Sequence, residues 1–128
     1  MAVNKVHDEF HAIDMADGWQ LPEGYRPDAG VHEKVLAGSL DPAAKRGTRT
    51  RLLRFQPGAF STRPFTHDYW EEVFLVSGDL SVGSDEQGRG GTPFTGATYA
   101  VRPPGVAHGP FRSDGGCVLL EIHYYDPV

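Results

Sequence analysis

Glycine and proline interrupt this chain so often that long helices have no room to form. Sixteen glycines and ten prolines are spread over 128 residues. Between them lie short runs of β-branched and aromatic residues, the pattern of strands bounded by turns. The runs at 31–37, 48–55, 71–76, 79–83, 97–102 and 117–125 predict one all-β domain, with 1–30 as an N-terminal extension and 31–128 as the barrel. A hairpin across Ser77-Gly78 is expected to pair the third and fourth runs. The Gly-rich, polar residues 84–96 are expected to form a loop. A chain of this length buries roughly two-thirds of its unfolded surface, enough for a core without disulfides.

The stretch that carries chemistry lies between Gly58 and Gly78, where His67 and Glu71 stand ahead of Val73-Phe74-Leu75-Val76. Alternation along a strand puts Glu71, Val73 and Leu75 on one face and Glu72, Phe74 and Val76 on the other. Whichever face is inward, a carboxylate enters the interior beside large apolar groups; it needs a partner, and a metal ion is one of the few adequate ones. Downstream, the turn in Arg102-Pro103-Pro104-Gly105 delivers His108, expected at the start of a new strand. Two imidazoles and a carboxylate from separate segments match the facial ligand set of a mononuclear metal site. Glu72 is the alternative carboxylate if the strand is shifted by one residue.

Taken together the two stretches resemble the cupin superfamily. Its first motif runs Gly, a spacer, His-x-His, three or four residues, Glu, six residues, Gly; Glu71 and Gly78 fit, and His67 takes the second histidine position. Its second motif, Pro-x-Gly-x-x-His, is met by Pro103, Gly105 and His108. Phe65 replaces the first motif histidine, and Arg112 stands where an Asn often follows. Within cupins the chain is similar to the ChrR-type anti-sigma cupin domain and its free-standing relatives: Glu71-Glu72, the run 103–111 and Gly116-Cys117-Val118-Leu119-Leu120 keep that order. The resemblance implies a small double-stranded β-helix (jelly-roll) barrel. It also implies one divalent metal ion per chain on His67, Glu71 and His108, iron preferred, with Mn, Ni, Cu or Zn also suited. The activity implied is an Fe(II)-type dioxygenase on an enolisable or aromatic carbonyl compound; a ChrR-type sensor module without catalysis and a non-redox lyase, isomerase or cyclase are the alternatives.

Other residues are weighed beside this site. Phe65 shares a face with His67 and is expected to line the metal cavity, with Tyr69, Arg112 and His123 as further pocket candidates. On the last strand Val118, Leu120, Ile122 and Tyr124 form a clean apolar face. That face is expected to look inward, leaving Glu121 and His123 to solvent; the opposite orientation makes His123 an additional ligand candidate. Cys117 reads as a small buried residue, and Lys45, Arg46, Arg49, Arg51 and Arg54 as a solvated basic strand pairing with nearby acids. The net charge of −5 argues against nucleic acid as a partner. No apolar stretch suggests a signal or membrane span, and a lone cysteine makes a reducing cytoplasm the expected setting. The aromatic N-terminal segment (Phe10, Trp19, Tyr25) is expected to pack on the barrel or on a second subunit in a homodimer.

Overall fold

The computed structural model describes residues 3–126 and is all-β. Its strands are β1 (Val31–Asp41), β2 (Arg46–Phe55), β3 (Trp70–Val82), β4 (Thr92–Thr95), β5 (Thr98–Arg102), β6 (Phe111–Arg112) and β7 (Cys117–Tyr124). Every pairing is antiparallel: β1 with β2, β2 with β7, β7 with β3, and β3 with β4, β5 and β6. Among the described residues, no helix is long and apolar enough to cross a membrane.

β3 holds the fold together. Its first half pairs with β7 and β5, its last four residues with β4, and Ser81 and Val82 also with β6. The expected hairpin at Ser77-Gly78 is therefore wrong: the chain runs straight through as one 13-residue strand. A bulge between Leu75 and Ser77 absorbs the bend. Gly78 has φ +87°, and a Cβ there would lie 2.0 Å from the carbonyl oxygen of Gly116. A glycine that reads as a turn is instead a place where two backbones touch. Asp79 then ties the corner down, accepting from the backbone N–H groups of Asp114 (2.9 Å) and Gly115 (2.7 Å).

The loop expected over 84–96 contains the exposed strand β4. His108 lies outside any strand, in an isolated bridge to Phe65, and β6 begins three residues later.

Inside the barrel, the three central strands change character at one level. The inward row of β2 reads Phe55, Leu53, Arg51, Arg49; that of β7 reads Cys117, Leu119, Glu121, His123; that of β3 reads Leu75, Val73, Glu71. Register aligns Leu53 with Leu119, Arg51 with Glu121, and Arg49 and Glu71 with His123. One half is thus an apolar core, closed by Val31, Leu80 and Phe111, and the other is ionic. Burial of Leu53 and Phe55 contributes about 1.5–3 kcal/mol each.

This arrangement overturns the expected orientation of β7. Glu121 and His123 are buried, His123 completely, while Val118, Leu120, Ile122 and Tyr124 are half-buried on the outer face. These inward polar groups are tolerated because β2 answers both: Arg51 pairs with Glu121, and Arg49 donates to the His123 ring. The basic strand is accordingly not simply solvated: Arg51 is buried.

The N-terminal extension lies against β1 and β2. Asn4 caps their far end through Ser39 O (2.8 Å) and Thr48 N–H (3.0 Å). Trp19 packs against Arg54, and Tyr25 enters the barrel edge-on to Phe55. Phe10 projects into solvent.

Gly78→Ala combines a forbidden φ with a backbone clash and is expected to cost about 3 kcal/mol or more. Thermal unfolding of the variant checks this; an unchanged melting temperature contradicts the close crossing.

Candidate metal centre

Glu71 is the hub of the ionic half. Alternation turns it inward with Val73 and Leu75, and it is 3% exposed. Its Oε1 accepts from His123 Nε2 (3.1 Å), and its Oε2 lies 3.2 Å from both Arg102 Nη1 and His108 Nε2. Glu72 turns the other way, accepting from the hydroxyls of Tyr99 and Tyr124 on the outer face. Glu71 is therefore the carboxylate available to the cavity.

His67 comes from the segment before β3 and His108 from the turn after β5. The bridge between Phe65 and His108, with N–H···O distances of 2.7 and 2.9 Å, brings them together. One ligand atom from each of His67, Glu71 and His108 lies within 4.8 Å of the others. Burial pushes the His67 imidazole down to about 4 and lowers His108 too, so both are neutral with a lone pair to give near neutral pH. His108 Nδ1 reaches the carbonyl of Val106 (3.3 Å) and can only donate there. Its Nε2 lone pair then faces Glu71 Oε2, two acceptors that a cation placed between them would reconcile. The donor set fits a divalent metal, and its mixture of imidazole and carboxylate suits Fe, Mn, Ni, Cu or Zn alike.

His123 has a different part. Arg49 Nε and Nη2 donate to its Nδ1 (3.1 and 2.8 Å). Guanidinium only donates, so Nδ1 is the acceptor and Nε2 carries the proton that goes to Glu71. His123 orients the carboxylate. A second cluster of Glu71, Glu121 and His123 also has metal-like spacing, but Arg51 fills it from the side. Arg51 donates to Glu121 Oε1 (2.8 Å) and Glu33 Oε1 (2.7 Å). Burial alone would raise the Glu121 carboxyl; Arg51 and His123 override it and hold Glu121 well below the usual range.

The site opens into a cavity of about 490 Å³. Phe65 lines it, its ring 6.1–6.5 Å from those of His67 and His108 and 4.9 Å from Tyr25. Tyr69 also lines it, stacked on His67 at 4.5 Å and 9°. Arg112 lies outside the cavity wall, joining Ser81 to the carbonyls of Gly88 and Gly90. Cys117 is buried, and burial pushes its thiol up to about 11, leaving it inert. Sequence reasoning missed Arg49, Arg51, Glu33 and Tyr25. The usable signal was that two arginines, two residues apart, match an acid and a histidine two apart on β7; only the pairing of the strands reveals it.

Comparison with known families decides the kinship. The sequence matches the ChrR cupin-like domain over residues 20–125. The chain belongs to the ChrR cupin-like family. Solved cupins share the fold of this ChrR cupin-like barrel. An RmlC-like cupin from Shewanella frigidimarina is 16% identical with a TM-score of 0.65, covering 96% of this chain and 95% of that one. An acetylacetone dioxygenase from Acinetobacter johnsonii is 21% identical (TM-score 0.61; 97% and 79% covered). The polyketide cyclase RemF from Streptomyces resistomycificus is 16% identical (TM-score 0.62; 92% and 81%). Curated protein sequences return no match.

Purified protein is expected to take up close to one divalent metal per chain, and His108→Ala to lose most of it by elemental analysis. Full retention in that variant rejects the site. Separately, Arg51→Met leaves buried Glu121 and half-buried Glu33 without their cation and should destabilise by about 3–5 kcal/mol at neutral pH. Because the Glu121 carboxyl is depressed, its pairing stabilises above the ordinary carboxylate range and is lost only as pH falls through the depressed value. The deficit of Arg51→Met should therefore shrink on acidification, as its freed carboxyls protonate. Urea unfolding across pH measures this; a pH-independent deficit contradicts it.

Proposed function

We propose that this chain is a metal-dependent small-molecule enzyme, an Fe(II)-type dioxygenase acting on an enolisable or aromatic carbonyl compound. The observation that carries this reading is the phenyl ring of Phe65 where a fourth imidazole would stand. Three protein ligands beside an aromatic-walled cavity leave room for a substrate and for O2 at one ion. A redox-active divalent metal held by His67, Glu71 and His108 would supply Lewis-acid activation of a carbonyl and electron transfer to O2.

The remaining work belongs to the chain. His123 and Arg102 fix the two oxygens of Glu71 from opposite sides. Tyr69, stacked on His67, holds that imidazole plane. Phe65 and Tyr25 line the wall with rings that exclude water and favour a flat, apolar substrate body. A second reading, a metal-binding sensor module without turnover, is favoured by the ChrR kinship. A non-redox lyase, isomerase or cyclase shares the same ligand set.

Iron-reconstituted protein is expected to consume O2 with one or more members of a panel of β-diketones and hydroxyacetophenones. Phe65→His should bind metal more tightly and turn over more slowly. No uptake with any loaded metal, together with a tightly held zinc ion, supports the sensor reading instead.

A further inference from the structure

The cations of the cavity differ in how they are neutralised. Arg51 sits between Glu33 and Glu121, and Arg102 contacts Glu71. Arg49 has no such partner: among the described residues no carboxylate lies within 4 Å of it, and its side-chain contact is a neutral ring nitrogen of His123. A half-buried guanidinium without a counterion is a ready partner for an anion that enters the cavity. Nε and Nη2 are committed to His123, leaving the Nη1 edge uncommitted in the wall of the cavity. Tyr69 and Tyr125 line the same wall, and the hydroxyl of Tyr125 is engaged by Asp68 (3.0 Å). Asp68 is thus occupied at the rim rather than paired with Arg49.

We propose that Arg49 is a specificity-determining residue that binds a carboxylate on the substrate, so that the site takes small, flat carbonyl compounds bearing a carboxylate. This deepens the reading above and rests on it for turnover alone. A single guanidinium beside aromatic rings matches a planar monoanion, whereas a phosphate dianion calls for several converging cations. His123 bridges Arg49 and Glu71, so Arg49 stands one imidazole ring away from Glu71 in the same cavity. The same substrate can then present a carbonyl at the ligand set and its carboxylate at Arg49. The inner charges favour this: Arg51 and Arg102 are paired with Glu33, Glu121 and Glu71, while Glu23 and Asp68 also line the cavity without lying within 4 Å of Arg49.

The probes are benzoate and its neutral isostere benzamide, titrated calorimetrically into protein stripped of metal by a chelator. Benzoate is expected to bind about tenfold or more tightly than benzamide. Arg49→Gln should abolish that preference, and Arg49→Lys should retain part of it. Equal binding of the two probes by the unaltered protein overturns the proposal without recourse to any variant. So does undiminished benzoate preference in Arg49→Gln, or benzoate binding that appears only in metal-loaded protein. The metal-free measurement involves neither O2 nor turnover, so failure of the dioxygenase reading and failure of the carboxylate subsite are distinguishable.

Discussion

A buried carboxylate tolerates the barrel interior only when its charge is answered, and Glu71 sets that requirement for everything around it. Its Oε1 takes a proton donor from His123 and its Oε2 one from Arg102, with the unprotonated Nε2 of His108 also 3.2 Å from Oε2. His123 can donate only because Arg49 occupies its other nitrogen. Next along the same strands, Arg51 answers Glu121 and Glu33. The chain of dependence runs across β3, β7, β2 and β1, so ionic pairing and strand register specify each other. A one-residue slip of any strand would bury a charge without a partner, at a cost larger than any single apolar contact returns.

The division of the barrel follows from this. Leucines, valines and phenylalanines fill one half as an apolar core, and Leu53, Phe55, Val73, Leu80, Phe111 and Leu119 form the floor of the cavity. The ionic half cannot close in the same way, since charged side chains pack by hydrogen-bond geometry rather than by volume. A cavity at that end is the natural outcome, and Phe65, Tyr25 and Tyr69 give it apolar walls. The candidate site thus sits above an apolar base, with Glu71 on β3 and His67 and His108 on segments outside the strands.

How much of this was readable in the sequence depends on the distance over which each signal acts. The faces of β3 follow from local alternation, and the motif spacing around Glu71, Gly78 and Pro103-x-Gly105-x-x-His108 was enough to indicate the fold and the ligand candidates. The orientation of β7 was not readable locally. Its alternation is perfect, but hydrophobicity selects the wrong face when arginines on a neighbouring strand neutralise the polar one. Gly78 misled for a related reason: a positive φ serves a turn or a close crossing equally well, and only the approach of Gly116 distinguishes them. Arg49 and Arg51 looked like solvent-facing charges because their partners lie some seventy positions away.

The fixed tautomer of His123 has a consequence for coordination. With Arg49 holding Nδ1 as an acceptor, Nε2–H faces Glu71 Oε1 at 3.1 Å and Glu121 Oε1 at 3.4 Å, tying the two carboxylates together. Oε1 of Glu71 is engaged there, and Oε2 faces His108. Glu71 is thereby held in one orientation, with one oxygen answered from β7 and the other turned toward the loop that carries His108.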